Sequence, residues 1–188
     1  MMQGENEWTE SIRNQVKRLS SLTNQITMLA RMEEAQKKPE LEEMDFSLVL
    51  KETIQPFYTL AERNGKSFVF SADSGLILKG NRELLKQLVM ILADNSVKYS
   101  VDNSEIFISS VKKGRRVFFK VSNESEMIQK GNMDILFERF YRTDASRSSE
   151  TGGSEIGLSV AKAIVELHNG KIHAESADGK ILVITVIL

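Results

Sequence analysis

Residues 151–163 read TGGSEIGLSVAKA, where a cluster of glycines runs directly into an amphipathic helix. The first N–H groups of a helix have no intrahelical acceptor, and the helix dipole favours an anion at that end. Glycine lets the main chain approach an anion without an intervening Cβ. The stretch therefore predicts a phosphate-binding loop at the start of a helix over 155–168. The plain alternative is a flexible loop capped by Ser154.

Composition limits the classes of protein to consider. The chain has 188 residues, 41% hydrophobic and 27% charged, with a formal net charge of −1. This balance gives no overall attraction to nucleic acid or to an anionic membrane. The absence of cysteine excludes disulfides and thiolate zinc sites. No apolar run approaches the roughly 20 residues that span a bilayer, and the N-terminus lacks a signal-peptide core.

The N-terminal part predicts one long helix. From Trp8 to about Arg31 there is no Gly or Pro, and Ile12, Leu19 and Ile26 recur at heptad spacing. Such a stripe is typical of a helix in a bundle or coiled coil, and it needs a partner helix to be buried. The charged segment over 33–44, which contains a proline, is interpreted as a linker.

The remaining chain alternates helices with antiparallel strands. The two final strands are expected to meet at Asp178–Gly179 in a type I′ turn, and Gly114 is expected to form a hairpin. This order predicts a two-layer α+β sandwich with three helices on one face of the sheet. We predict helices over 47–63, 81–99 and 155–168, and strands over 67–72, 76–80, 104–113, 115–123 and twice within 171–188.

Helix 81–99 carries the second chemical signal. Asn95 is expected to share the buried face of this helix, and Lys98 extends that face by one turn. An amide oxygen is a suitable ligand for Mg²⁺, and a lysine beside it would neutralise phosphates. The plain alternatives are an amide bonded to neighbouring backbone and a lysine whose stem lies on apolar surface. The apolar residues predicted on the buried face are Leu84, Leu85, Leu88, Ile91 and Leu92.

Three stretches together resemble a known family. ILADNSVKYS (91–100), ILFERFYRTDASRS (135–148) and GGSEIGLSVAKAIVELHNGKI (152–172) are similar, in order and spacing, to three motifs of sensor histidine kinases. These motifs are the N box, the F box and the second glycine box of these two-component members of the GHKL ATPase superfamily. Residues 9–33 resemble the second helix of that family's dimerisation and histidine-phosphotransfer domain.

The resemblance implies a fold and a division of the chain. The fold is a Bergerat-type (GHKL ATPase) α+β sandwich of a mixed, mostly antiparallel sheet and three helices, preceded by one long bundle helix. Residues 1–36 would be the partial phosphotransfer bundle, 37–44 a linker, and 45–188 the catalytic domain. That domain would bind ATP·Mg²⁺ beneath a lid at about 125–154.

The resemblance also assigns site residues. Asn95 would be the Mg²⁺ ligand, Lys98 a phosphate contact and Tyr99 a wall of the pocket, although simple packing is an equal alternative for Tyr99. Phe137 and Phe140 would hold the base of the lid. Arg142 would contact the γ-phosphate, with Arg147 a weaker candidate. The full ATP-binding set is Asn95, Lys98, Tyr99, Asn123, Ile128, Arg142, Arg147, Gly152, Gly153, Ile156, Gly157 and Leu158.

The sequence departs from the family at several positions. The first glycine box normally begins with an Asp that accepts a hydrogen bond from adenine, whereas Asn123 stands there. Ser125 and Met127 replace its two glycines, and Ile91 replaces an Asn that often precedes the metal ligand. An Asn carbonyl can still accept the adenine bond, so these changes predict weakened binding and not its loss.

In the family, an acidic residue follows the phosphoacceptor histidine. Neither of the two histidines of this chain has such surroundings. His168 ends a helix and His173 lies in a strand, so both are expected to be structural. We therefore expect the acceptor upstream of Met1, in a larger membrane-anchored sensor whose kinase part is cytoplasmic, and no catalytic residue in this fragment. The implied partners are ATP, the protein's own phosphotransfer helix, a cognate response regulator and a second copy, but no nucleic acid.

Two functions of different classes follow. The first is the ATP-binding catalytic part of a sensor histidine kinase, which would position ATP·Mg²⁺ for phosphoryl transfer to a histidine outside this chain. The alternative is a degenerate GHKL domain with weak or no ATP binding that acts as an interaction or dimerisation module. A serine kinase with the same fold is disfavoured, because it would not need the N-terminal helix.

Glu155 replaces a glycine of the family and generates a first prediction. A carboxylate about 4 Å from a phosphate charge costs about 1 kcal/mol in water and about 4 kcal/mol at an effective dielectric of 20. Glu155→Gly should therefore tighten binding of an ATP analogue with Mg²⁺ at least several-fold, measured by isothermal titration calorimetry. Unchanged affinity would show that this side chain stays clear of the phosphates.

Overall fold

The computed structural model describes residues 8–13, 15–16, 19–20, 23, 27, 39–126, 128–138, 141 and 156–188. The described N-terminal residues, 8–13, 15–16, 19–20, 23 and 27, are helical. A 3₁₀ turn spans Asp134–Phe137. From residue 39 onward, the described ranges contain α1 (Phe46–Arg63), α2 (Arg82–Tyr99), α3 (Gly157–Leu167), β1 (Glu42–Asp45), β2 (Ser67–Ala72), β3 (Ile77–Gly80), β4 (Glu105–Lys113), β5 (Arg116–Glu124), β6 (Gly131–Asn132), β7 (Lys171–Ser176) and β8 (Ile181–Ile187).

Six of these strands form one mixed sheet in the order β2-β4-β5-β8-β7-β6. The β2–β4 pair is parallel and the other pairs are antiparallel. Along β4, β5, β7 and β8, buried residues alternate with more exposed ones, so one face of the sheet meets the helices. The two-layer α+β architecture predicted from the sequence is confirmed.

The core lies between this sheet face and the three helices. Phe46 of α1 meets Phe119 of β5 edge to face, with ring centroids 5.8 Å apart. Leu85 and Leu88 of α2 and Ile164 of α3 are fully buried in the same cluster. The layer of helices is therefore fixed to the sheet by continuous apolar contact.

The helix ends follow local sequence signals. Asn81 caps α2, because its Oδ1 accepts a hydrogen bond from the Leu84 N–H at 3.1 Å. Asp45 caps α1 in the same way through the Ser47 N–H at 2.9 Å. Hydrogen bonds from Ser47, chiefly from its hydroxyl, lower the pKa of Asp45. Gly65, at φ 65°, takes the left-handed conformation that ends α1.

His168 joins α3 to α2. Its Nε2 accepts a hydrogen bond from the Asn81 N–H at 3.0 Å, so the ring proton lies on Nδ1 and is donated to the Ile164 carbonyl at 2.7 Å. His168 follows the last residue of α3, whereas Asn81 precedes the first residue of α2. Since α2 and α3 also pack together, the two helices run antiparallel.

Three expectations need correction. The β7–β8 connection spans four residues, and only Gly179 has a positive φ, so it is not the type I′ turn expected. The Asp178 carboxylate shapes it instead by accepting from the Lys180 and Ile181 N–H groups. The segment expected to be a linker ends in β1, which pairs with β3 apart from the main sheet.

The third correction concerns α2. Leu84 and Ile91, expected on the buried face, are only half buried. The fully buried positions are turned toward the sheet and α1, because both pack against this helix. They are Leu85, Leu88, Val89, Leu92, Ala93, Ser96 and Val97.

The N-terminal helical residues expose an apolar stripe. Trp8, Ile12, Val16 and Leu19 are between 58% and 76% exposed. The spacing of this stripe is the one that predicted a bundle helix, and within the described part of the chain nothing covers it. Among the described residues, no helix combines the length and apolar character that crossing a membrane requires.

The His168 contact generates a pH prediction. Burial lowers the pKa of His168, while its bond to Ile164 acts in the opposite direction. The folded state therefore binds fewer protons than the unfolded state, whose histidine pKa is about 6.5. This stabilisation is complete above about pH 6.5 and is lost as the pH falls below it.

Urea unfolding between pH 7.5 and 5.5 measures this effect. The free energy of unfolding should fall across the range in the wild type, with a clearly shallower slope for His168→Gln. The matched His173→Gln variant, altered at an exposed histidine, should keep the fall. Identical slopes for His168→Gln and the wild type would contradict the assignment.

Candidate functional site

The antiparallel helices bring the first turn of α3 toward the last turns of α2. With 11 residues, α3 is about 16 Å long at a rise of about 1.5 Å per residue. Its C-terminal end lies beside Asn81, so its first turn lies roughly level with Leu92, about one turn from Asn95. The end of β5 joins them, because the Val101 N–H after α2 donates to the Glu124 carbonyl at 3.1 Å.

Asn95, Lys98 and Tyr99 lie along the margin of α2. Asn95 and Tyr99 are half buried, whereas Lys98 is exposed. Asn95 therefore belongs to the edge of the helix layer and not to its buried core, as the shifted face of α2 requires. Tyr99 makes an interaction with its surroundings.

Lys98 is held by a residue that the sequence reasoning did not single out. Its Nζ donates to the Asp94 carboxylate at 2.5 Å, one helical turn away. The pair is largely solvated, with side chains 36% and 44% exposed. An anion approaching Lys98 therefore competes with Asp94. The i, i+4 spacing of Asp and Lys in the sequence could have revealed this pair.

The first turn of α3 presents backbone N–H groups of the kind that bind anions at helix N-termini. Ile156 precedes the helix, and its apolar side chain cannot cap the first turn. Ile156 and Gly157 are buried and Leu158 is half buried, so this turn is largely shielded from solvent. Lower polarity strengthens the attraction of its N–H groups for an anion, with the helix dipole aligned toward it.

Asn123 lies near the end of β5 on the helix-covered face, only 4% exposed. It is flanked in the sheet by Ile106 of β4 and Leu182 of β8. Its Nδ2 donates to the Glu124 carbonyl at 3.3 Å. The buried amide adds a neutral polar group to the end of the sheet where α2 also ends.

The first part of the stretch expected to be a lid is built into the sheet. Residues Gly131–Asn132 form β6, which pairs with β7. Phe137 is buried in the core, as expected for the base of the lid, and Ile128 is half buried against the same core. Glu138 then pairs with Lys162 of α3 at 3.2 Å.

Asp134 fastens this segment to β7. Its carboxylate accepts from the Ala174 N–H at 2.7 Å and lies 3.4 Å from His173 Nδ1. Burial acts to raise the pKa of Asp134, but the hydrogen bonds from Ala174, Asn132 and His173, together with the charge of His173, lower it overall. The base of the expected lid is therefore anchored by an ionised carboxylate.

Several predicted residues lie outside the described part of the chain. They include the candidate phosphate contacts Arg142 and Arg147 and the loop glycines Gly152 and Gly153. Phe140, Met127 and Glu155 lie outside it too. The structure brings Asn95, Lys98, Tyr99, Asn123, Ile156, Gly157 and Leu158 to one end of the molecule, with Ile128 at the segment that leads into the lid region.

Lys66 is a further residue that the sequence analysis missed. Its Nζ donates to the Val97 carbonyl at 2.7 Å, in the last turn of α2. Burial lowers the pKa of Lys66, while the nearby charge of Asp102 acts to raise it. A cation at this point complements the C-terminal end of the helix dipole and fixes the turn that carries Lys98 and Tyr99.

Comparison with known proteins identifies the class. Residues 80–188, more than half of the chain, match the family described as histidine kinase-, DNA gyrase B- and HSP90-like ATPases. The chain therefore belongs to this family and carries its GHKL-type ATPase domain.

Its relatives are sensor kinases. The chain is 30% identical over 169 residues to the sensor protein DltS of Streptococcus agalactiae serotype III (strain NEM316). This match covers 90% of the chain but only 42% of DltS, so the chain spans about two fifths of that relative's length.

Solved structures share the fold. Full-length ShkA in complex with AMPPNP matches with a TM-score of 0.81 at 19% identity, covering 100% of this chain and 39% of ShkA. The histidine kinase ThkA in complex with the response regulator protein TrrA matches with a TM-score of 0.73 at 19% identity, covering 100% of this chain and 52% of ThkA. At these identities the likeness establishes the fold alone.

The Lys98–Asp94 pair generates a prediction at this site. Asp94→Asn removes the competing carboxylate, so it should strengthen binding of an ATP analogue with Mg²⁺. Because exposed ion pairs contribute about 0.2–1 kcal/mol, the gain should be a few-fold at most. Titration calorimetry measures it, and Lys98→Gln should weaken binding in the same assay. Weaker binding by Asp94→Asn would mean that Asp94 positions Lys98 for the phosphates.

Proposed function

We propose that this chain is the ATP-binding catalytic part of a sensor histidine kinase. It would bind ATP·Mg²⁺ and present the γ-phosphate to a histidine located outside this chain. Membership of the ATPase family and sensor-kinase relatives support the general assignment. AMPPNP is an ATP analogue, so its complex with ShkA, a protein of the same fold, is a further reason to test nucleotide binding.

One observation carries the proposal: α2 and α3 run antiparallel and are held together by the His168–Asn81 contact. The amide of Asn95 and the ammonium of Lys98 thereby share one end of the helix layer with the backbone N–H groups in the first turn of α3. An amide oxygen suits Mg²⁺, an ammonium suits phosphate, and backbone N–H groups suit phosphate oxygens. This set of donors fits a magnesium-bound triphosphate.

Each residue would then have a separate task. Asn95 would supply an oxygen to the metal, and Lys98 would leave Asp94 to neutralise phosphate charge. Gly157 and Leu158 would donate backbone N–H groups, and Asn123 would accept from the adenine amino group. Bound Mg²⁺ would supply further neutralisation of the phosphates. The chain contributes positioning and electrostatic stabilisation, which account for most of the catalysis in phosphoryl transfer.

The histidines of this chain are unsuited to the acceptor role. Both ring nitrogens of His168 are engaged in hydrogen bonds, and the residue is buried. His173 lies on the opposite face of the sheet from α2 and α3, with Nδ1 toward Asp134. An acceptor histidine from a separate segment is therefore part of the proposal.

The exposed N-terminal stripe supports the proposed partners. Trp8, Ile12, Val16 and Leu19 would pack in a helical bundle with a second copy of the chain and with the phosphotransfer helix. By analogy with the ThkA–TrrA complex, a cognate response regulator would bind the assembled bundle. The proposed division into bundle helix, linker and catalytic domain follows from the same reasoning.

The alternative, a degenerate domain without nucleotide chemistry, rests on the altered residues of the glycine boxes. Asn123 remains able to accept a hydrogen bond, and Ser125 is half buried and donates its N–H to the Lys180 carbonyl at 2.8 Å. The altered positions Met127 and Glu155 lie outside the described residues. The family comparisons do not favour this alternative, but the same experiment addresses it.

Thermal unfolding with ATP analogue and Mg²⁺ tests the proposal. Ligand at about 100 times its dissociation constant adds about 2.7 kcal/mol, which raises the Tm by about 5–10 °C for a chain of this size. Asn95→Ala should lose the part of this rise that depends on Mg²⁺. Gln55→Ala, which removes an exposed amide from α1, serves as the matched control and should retain it.

Two outcomes decide between the two functions, and a third tests the role of Asn95 alone. A magnesium-dependent rise that Asn95→Ala abolishes supports the kinase assignment. No rise at millimolar nucleotide in the wild type would favour the interaction module instead. A rise that is equal in Asn95→Ala and in the control would remove Asn95 from the metal site.

A further inference from the structure

The hairpin between β4 and β5 concentrates positive charge. Lys112, Lys113, Arg115 and Arg116 surround Gly114, and all five residues are exposed. We call Lys112–Arg116 the basic hairpin. Gly114 takes a left-handed φ of 63°, and a Cβ built there would meet nothing within 4 Å. The turn therefore projects into open space.

The four cations are not neutralised by the surrounding chain. The ion pairs among the described residues lie elsewhere, at Glu52–Arg82, Asp94–Lys98, Glu138–Lys162 and Asp134–His173. Asp73 reaches the hairpin only to accept from the Lys112 N–H at 3.0 Å. Lys113 Nζ lies 5.5 Å above the Phe118 ring. Apart from the Asp73 carboxylate beside Lys112, a chain with a net charge of −1 thus carries four clustered cations at one convex point.

The shape of this point selects the kind of partner. On one side, β2 ends at Ala72, opposite Ser110, and Asp73 follows it beside Lys112. On the other side, the pairing continues past β8 to Leu188, which exchanges two backbone hydrogen bonds with Val117. The hairpin therefore projects beyond both neighbouring strands and forms no cavity in which a small anion could be enclosed. A convex cationic tip is complementary to a flat anionic surface.

Apolar side chains accompany the charges. Val111 is 38% exposed and pairs across the strands with half-buried Phe118, just behind the cations. Cations at the tip with apolar groups behind them match the arrangement of interfacial membrane contacts.

We propose that the basic hairpin docks the domain on an anionic lipid membrane. Each Lys or Arg near such a surface strengthens binding about fivefold, so four cations together give on the order of several hundredfold. The attraction acts over about 10 Å at 0.1 M salt and only about 3 Å at 1 M. The bound state is therefore weak, reversible and dependent on ionic strength.

Docking in this way leaves the candidate nucleotide site accessible. The basic hairpin and Asn123 lie at opposite ends of β5, with Arg116 and Asn123 roughly 23 Å apart along the strand. Membrane contact would orient the domain without covering α2 or the start of α3. The inference goes beyond the proposed function and does not depend on it.

Co-sedimentation with lipid vesicles tests the inference. The wild-type chain is mixed with vesicles of phosphatidylcholine alone or with about 30% phosphatidylserine, at 0.05 and 0.5 M salt. The test variant replaces Lys112, Lys113, Arg115 and Arg116 by Gln. The matched control replaces four exposed cations elsewhere, Lys51, Arg63, Lys79 and Lys86, so both variants carry the same net charge. Circular dichroism verifies that both fold.

We expect the wild type and the control to bind phosphatidylserine vesicles at low salt at least tenfold more than neutral vesicles. The hairpin variant should lose this preference, and 0.5 M salt should remove it from all three proteins. Equal binding to both vesicle types, or equal loss in the two variants, would overturn the proposal. Absence of vesicle binding, including the case in which the hairpin binds a DNA duplex instead, would overturn it as well.

Discussion

The contact between His168 and Asn81 determines the arrangement on which the rest of this structure depends. A buried neutral imidazole accepts from the backbone at the start of α2 and donates to the end of α3. The C-terminal end of α3 lies beside the N-terminal end of α2, and the two helices pack against each other, so they run antiparallel. The N–H groups in the first turn of α3 therefore lie toward the polar last turns of α2. Without this alignment, Asn95 and the start of α3 would not lie at one end of the helix layer.

The two ends of the sheet carry different polar and charged groups. At one end of β5, Asn123 is buried beside the end of α2, where an anion can meet an amide, an ammonium and backbone donors. At the other end, four exposed cations that form no ion pair with any described residue project from the basic hairpin. The separation along one strand would let the proposed nucleotide and membrane contacts form independently. The net charge of −1 does not reveal this separation of charge. It sums the charges of the whole chain, whereas each charge acts only over a short distance in salt solution.

Two contacts adjust the candidate site without belonging to the predicted motif. Asp94 occupies Lys98, so a phosphate must displace a carboxylate before it gains that ammonium. Lys66 fixes the last turn of α2 from outside by bonding to the Val97 carbonyl. Lys98 and Lys66 are far apart in the sequence and make different contacts. Lys98 belongs to the last turn of α2, and Lys66 donates a hydrogen bond to that same turn. Affinity at this site thus depends on neighbours as well as on ligands.

The sequence by itself determined the local elements, because their signals are short in range. Asn81 caps α2, Gly65 ends α1, and the alternation in β4 and β5 gives the hairpin at Gly114. The family resemblance also followed from motifs readable in the chain, which the ATPase family match supports. Only the tertiary structure decided which side of α2 is buried and which residues meet across long separations. Leu84 and Ile91 are half buried because the sheet and α1 set the rotation of the helix, and helical periodicity cannot distinguish neighbouring faces. The bond from Asn81 to His168 joins residues 87 positions apart, and no local pattern encodes such a pairing.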